Sequence, residues 1–164
     1  MTPDHRIGLG WDRHRLVEGR PLLLGGVEIP HDRGLAGHSD ADALLHAAID
    51  AVLGGCGQDD IGTLFPDDDP EHEGADSSRL AERVRRLVTA KGFAVVSMDA
   101  VLLAERPKIK PHRAAMRENL ARLFDVDPER VNVKAKTGEG VGPAGRQEVI
   151  EATVVALVEK RAPA

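Results

Sequence analysis

The stretch SDADALLHAAIDAVLGG, residues 39–55, decides the fold class of this chain. Ser39-Asp40-Ala41-Asp42 has the form of a capping box, a side-chain oxygen followed three residues later by a carboxylate, ahead of the apolar run Ala43 to Leu53. Gly54-Gly55 supplies a stop, so a helix is predicted from about 40 to 54. Upstream, Arg6 to His14 alternates loosely around Ile7, Leu9 and Trp11 and reads as a strand. Short extended pieces follow at Pro21 to Leu24 and Val27 to Ile29, with a tight turn at Gly25-Gly26.

Downstream, Asp76-Ser77-Ser78 opens a second helix in which Leu80, Val84, Leu87 and Val88 keep helical spacing, and Gly92 suits the position just past its end. Phe93 to Leu103 returns to strand composition. Pro111 falls in the first turn of a third helix that buries Met116, Leu120, Leu123 and Phe124. Val131 to Lys136 reads as a strand. Val149 to Val158 is long enough for a helix, but its β-branched residues favour a strand. Strands and helices interleave, which predicts an α+β fold: a single mixed β-sheet with helices packed on one face. No linker or internal period divides the chain, so residues 1–164 are expected to form one domain.

Composition narrows the function. Twenty-two Lys and Arg against 27 Asp and Glu leave a net charge of −5, which offers no general attraction to nucleic acid or anionic lipid. Aromatics make up 2%, too few for a base-stacking platform. The single cysteine, Cys56, cannot form an internal disulfide, and no apolar run marks a secretory signal, so a cytoplasmic location is expected. The longest apolar stretch, Val154 to Val158, falls far short of the ~20 residues needed to cross a bilayer.

Several groups of residues point to chemistry. Asp12 and His14, two apart on a predicted strand, leave the same face and can converge on one ion. His46, inside an apolar helix with Asp42 and Asp50 one turn away on either side, is a third donor. Two imidazoles and a carboxylate suit a catalytic zinc with an open fourth position. The alternatives are a satisfied core histidine and a solvated Asp-x-His pair. His38 and Ser39 lie at the predicted helix N-terminus, where a phosphate can dock or Ser39 can simply cap. Lys136-Thr137-Gly138-Glu139 combines cation, hydroxyl, backbone amides and carboxylate, either for a phosphate with a hard cation or as a plain turn. Gly140 to Gly145 matches G-x-G-x-x-G but is followed by too little chain for a dinucleotide unit. Asp59-Asp60 and Asp67-Asp68-Asp69 lack the spacing of a calcium loop. Cys56 has no supporting base nearby.

Read in order, Gly10-Trp11-Asp12-Arg13-His14, Gly37 to Asp42 with His46, Asp60-Ile61-Gly62, Phe65-Pro66-Asp67, Arg106-Pro107-Lys108, Asn132 to Thr137 and Gly145-Arg146 resemble the 2-C-methyl-D-erythritol 2,4-cyclodiphosphate synthase family over nearly the whole chain. The resemblance implies a phosphorus–oxygen lyase. Its substrate would be 4-diphosphocytidyl-2-C-methyl-D-erythritol 2-phosphate, closed to a cyclic diphosphate with release of CMP in non-mevalonate isoprenoid synthesis.

Carried over by motif, Asp12, His14 and His46 would bind Zn²⁺, and Glu139 would hold Mg²⁺ or Mn²⁺ on the diphosphate. His38 and Thr137 would steady the transition state, with Ser39 on the substrate phosphate. Arg13, Lys136, Gly138, Pro143 and Arg146 are further expected substrate contacts. Asp60, Ile61 and Gly62 would meet the ribose, and Phe65, Pro66, Asp67, Asp68 and Asp69 the methylerythritol. Ala104, Glu105, Arg106, Pro107, Lys108, Ile109 and Lys110 would form the cytosine pocket. Asp67 to Gly74 is the expected closing loop.

The family also implies a homotrimer with sheets facing the threefold axis and active sites between subunits. Trp11 stands where Phe is usual, and Gly138 where a polar residue is common. Pro143 and Gln147 replace Phe and Gly beside Arg146 and Glu148, where the trimer's central cavity would take an isoprenoid diphosphate. The competing readings are a zinc-dependent phosphodiester hydrolase and a non-catalytic nucleotide-binding module with a structural metal.

Overall fold

The computed structural model describes residues 4–66 and 74–161. A five-stranded sheet carries the fold, in the order β4-β1-β7-β5-β6. Its centre is the antiparallel pairing of β1 (Asp4–Glu18) with β7 (Val149–Lys160) and of β7 with β5 (Phe93–Leu103). On one side β5 runs parallel to β6 (Val131–Lys136), and on the other the end of β1 pairs antiparallel with β4 (Arg33–Leu35). The sheet is therefore mixed, as the interleaved sequence predicts. A separate hairpin of β2 (Leu22–Leu24) and β3 (Val27–Ile29) adds to the predicted single sheet, turning at Gly25-Gly26. The β-branched segment 149–158 is a strand, buried on alternate residues from Ile150 to Val158.

Helix α1 (Ala43–Gly55) is buried on nearly every side, which fits its uniformly apolar composition. It begins three residues later than predicted. Ala41 takes a left-handed φ of 55°, which a right-handed helix cannot contain, so Asp42 rather than Ser39 caps it, accepting from the Leu45 amide at 2.9 Å. The fully buried Asp42 carboxylate also accepts the Gly25 and Gly26 amides at 2.8 and 2.6 Å, which fastens the hairpin to the helix.

Helix α2 (Ile61–Leu64) is a single turn capped by Asp60. Helix α3 (Ser77–Ala90), capped by Asp76, follows the predicted span. Pro111 lies in a 3₁₀ turn (Lys110–His112) that leads into α4 (Arg113–Phe124), which buries Met116, Leu120, Leu123 and Phe124. Helix α5 (Gly142–Gly145) is a short turn before β7.

The alternation of β1 was legible, but its inner face is the unexpected one. Gly8 and Gly10 point at α1, while Ile7, Leu9 and Trp11 are 72%, 66% and 53% exposed on the opposite side of the sheet. A Cβ on Gly10 would sit 1.9 Å from the Ala47 carbonyl oxygen, and one on Gly8 would sit 1.8 Å from that of Ala51. Glycine on the strand and alanine on the helix therefore set an unusually close approach. Asp12 and His14 continue this inner face toward the start of α1.

Candidate metal centre

The close approach of β1 and α1 brings His46 onto Asp12 and His14. Asp12 Oδ2 lies 2.8 Å from His14 Nε2 and 3.0 Å from His46 Nδ1, and the two imidazole nitrogens are 3.2 Å apart. One donor atom from each residue falls within 4.8 Å of the others, the one such convergence of three His, Cys or carboxylate groups among the described residues. Each outer ring nitrogen is occupied elsewhere. His14 Nδ1 is 2.7 Å from the Ala36 carbonyl and donates to it, so in the neutral ring Nε2, which faces Asp12, is the nitrogen left for a metal. His46 Nε2 is 2.9 Å from Ser77 Oγ and 3.2 Å from Ser39 Oγ.

Electrostatics favour a cation here. Burial opposes ionisation of Asp12, yet hydrogen bonds with His14 and His46 hold its carboxyl well below the usual carboxylate range. Burial likewise works against protonation of His14, but Asp12 and the Ala36 carbonyl outweigh it and raise its pKa. One carboxylate and two imidazoles, each imidazole anchored at its far nitrogen, form a donor set suited to zinc.

The centre opens into a cavity of about 230 Å³ that His38, Ser39, Ile61, Gly62, Phe65 and Leu80 also line. His38 and Ser39 reach it from an irregular loop and not from a helix N-terminus, because α1 starts at Ala43. That loop is tied from both sides. Arg20 donates to the carbonyls of Gly37 and Ser39, each at 2.7 Å, and the Gly74 amide donates to the His38 carbonyl at 2.8 Å. Asp50 accepts the Ile61 amide at 2.8 Å and so fixes α2 against the cavity. Phe65 packs under the Arg83 guanidinium at 4.8 Å.

A family model described as the YgbB family matches residues 5–159. The chain belongs to the YgbB family. The 2-C-methyl-D-erythritol 2,4-cyclodiphosphate synthase of Geotalea uraniireducens is 54% identical over 156 residues, 95% of this chain and 99% of its own. A solved 2C-methyl-D-erythritol-2,4-cyclodiphosphate synthase in a CDP-bound form matches with a TM-score of 0.86 and 42% identity, covering 93% of this chain and 99% of that one. The bifunctional IspDF of Campylobacter jejuni matches with a TM-score of 0.93 and 38% identity over 97% of this chain, which spans 43% of that longer protein.

The remaining residues that resemblance to the family singles out lie away from the cavity of the same chain. Ala104 to Lys110 follows β5, and Lys136, the last residue of β6, leads into Thr137 to Glu139. The two loops are joined by a bond from the Ala104 amide to the Lys136 carbonyl at 2.9 Å and one from the Gly138 amide to Glu105 at 3.0 Å. Thr137 donates to Glu139 at 2.9 Å. Gly138 is dictated by packing, since a Cβ there would lie 2.4 Å from the Gly145 amide nitrogen. Leu103 pairs with Glu151 and Glu151 with Arg13, so the loop after β5 is level with the metal centre but two strands across, roughly 10 Å, and the loop after β6 is one strand further, roughly 14 Å. Arg13 points to the other face of the sheet, bonded to Glu151 at 2.9 Å and stacked over Trp11. Arg146 pairs with Glu148 at 2.8 Å, and Pro143 is the second residue of α5. Pro66 is exposed beyond α2, while Asp67, Asp68 and Asp69, with most of the expected closing loop, lie outside the described residues.

Local spacing missed Arg20, Asp40, Ser77 and Leu80. Ser77 is 31 residues from His46, and nothing in the sequence around either indicates that they meet.

Proposed function

We propose that this chain converts 4-diphosphocytidyl-2-C-methyl-D-erythritol 2-phosphate to 2-C-methyl-D-erythritol 2,4-cyclodiphosphate and CMP, a step of non-mevalonate isoprenoid synthesis. An oxygen of the 2-phosphate attacks the β-phosphorus, and the bond from that phosphorus to the bridging oxygen of CMP breaks. The nucleophile is already an anion, so no side-chain nucleophile is required, which agrees with the inert surroundings of Cys56. The work left to the protein is positioning and neutralisation of charge. The observation that carries this reading is the convergence of Asp12, His14 and His46 at the floor of a cavity walled by His38, Ser39 and Phe65. It occurs in a chain 54% identical to a synthase of that name.

Asp12, His14 and His46 hold zinc in this reading, and Glu139 holds Mg²⁺ or Mn²⁺, for which a carboxylate oxygen is a suitable hard ligand. The bound dications supply charge neutralisation to phosphate oxygens that would otherwise repel one another. His38 and Thr137 hydrogen-bond to the phosphates as charge shifts toward the leaving group. Asp60, Ile61 and Gly62 take the ribose, Phe65 to Asp69 take the methylerythritol, and Ala104 to Lys110 take the cytosine. The CDP-bound form of a relative supports a cytidine diphosphate ligand.

The working unit is a homotrimer in the cytoplasm. The exposed stripe of Ile7, Leu9, Trp11 and Val155 supports burial of this sheet face between copies. The gap of two strands from the metal centre to the loop after β5, and of three to the loop after β6, supports sites completed by a neighbouring subunit.

The test is phosphorus NMR of the purified protein with the phosphorylated cytidine diphosphate substrate. Cyclic diphosphate and CMP are expected in equal amounts, with Asp12→Asn slower by at least about a hundredfold. An uncyclised monophosphate product would replace this reading with a hydrolase, and no CMP release by zinc-loaded protein would leave a binding module.

A further inference from the structure

We propose that Asp40 and Ser77 form a positioning pair that fixes the proton of His46 on Nε2. This keeps Nδ1 for the metal and leaves the Ser39 hydroxyl to the substrate. The inference rests on the zinc reading above and concerns residues that the family resemblance does not assign.

A neutral imidazole carries one N–H, and two hydroxyls crowd His46 Nε2, Ser77 at 2.9 Å and Ser39 at 3.2 Å. If either hydroxyl donated to a bare Nε2, the ring hydrogen would move to Nδ1. That nitrogen faces the Asp12 carboxylate at 3.0 Å, which competes for the ring hydrogen while no metal is bound, and with the hydrogen there it is blocked as a ligand; the Asp40–Ser77 pair therefore acts on the metal-bound ring, as the acceptor for Nε2–H. Asp40 removes the ambiguity. Its carboxylate accepts only, and it takes the Ser77 hydroxyl hydrogen on Oδ1 through a short bond, while Oδ2 takes the Ser77 amide at 2.9 Å. With its hydrogen committed, Ser77 Oγ presents lone pairs to His46 and accepts Nε2–H.

Asp40 is held in turn by the Asp42 amide at 3.2 Å and by its own amide on the Ala75 carbonyl at 3.2 Å. Ser77 is fully buried at the first turn of α3, so water does not compete for these bonds. Ser39 Oγ already accepts the Ala41 amide at 3.1 Å, and its hydrogen is free to turn toward the cavity it lines. His14 obtains the same service from a backbone carbonyl, whereas at His46 two side chains supply it, and these can be changed by mutation.

The experiment compares full-length wild type, Ser77→Ala and Asp40→Asn. Each is titrated with zinc against a chromophoric chelator, and the histidine rings of the zinc-loaded proteins are then read by ¹⁵N NMR at pH 8. Zinc-loaded wild type is expected to show a His46 Nε2–H signal that exchanges slowly with water. Asp40→Asn leaves one oxygen where two accepted the Ser77 hydroxyl, the Ser77 amide and the Asp42 amide, so the serine hydrogen is held less firmly away from Nε2 and the Nε2–H signal is expected to exchange faster. Both variants are expected to bind zinc roughly 10- to 100-fold more weakly. Asp40→Asn is nearly isosteric and guards against a Ser77→Ala protein that fails to fold. Wild-type affinity together with an unchanged Nε2–H signal in Asp40→Asn would overturn the pair. Failure of wild type to bind zinc would overturn the metal reading instead, and the pair with it.

Discussion

Burial pushes the Cys56 thiol up to about 11, and Arg6 offsets only part of that shift. Its side chain is 3% exposed at the end of α1. A thiolate population this small predicts that an alkylating reagent at pH 8 labels folded protein at least about a hundredfold more slowly than urea-unfolded protein. Equal rates, followed by mass spectrometry, would mean that the end of α1 opens readily. The same scale shows what single residues disclosed. Asp12 and His14 were legible because a strand's period of two puts them on one face. His46 was legible as a polar residue in an apolar run. Asp40 and Ser77 were not, because one sat inside a capping box whose ends are Ser39 and Asp42 and the other looked like an ordinary helix start. What they do depends on a meeting of α3 with the loop before α1.

Between elements, the decisive feature is the seam of Gly8 and Gly10 against Ala51 and Ala47. Gly10→Ala must push α1 away from β1, since its Cβ would overlap a backbone oxygen that cannot rotate aside. The expected cost is about 1–3 kcal/mol in urea unfolding, the usual range for overpacking. Zinc retention during dialysis against chelator should fall as well, because His46 moves with the helix. A Gly10→Ala protein of wild-type stability and zinc content would show that the seam does not set the site. Sequence patterning located β5 and β6 to the residue, since both are bounded by Gly or Pro and rich in valine. It placed the start of α1 too early, because nothing in the sequence announces a left-handed alanine at 41. The single-turn helices α2 and α5 and the three-residue β4 are too short to carry a period.

For the whole molecule, one face of the sheet is covered by α1, α3 and α4, and the other carries Ile7, Leu9, Trp11 and Val155 in the open. The interleaving of strands and helices predicted helices on one face; which side of β1 they cover was hidden, because its two glycines, not its apolar residues, face the core. Leu9→Glu should leave the fold intact, as the side chain is 66% exposed, while reducing a trimer to monomers in sedimentation equilibrium and abolishing cyclisation. A Leu9→Glu trimer with full activity would remove this face from the assembly. The account as a whole depends on Asp12, His14 and His46 gathering around one cation. X-ray diffraction from crystals of zinc-loaded protein, recorded on both sides of the zinc edge, tests it directly. One anomalous peak per chain, in contact with Asp12 Oδ2, His14 Nε2 and His46 Nδ1, is the predicted result; a peak elsewhere, or none, contradicts it.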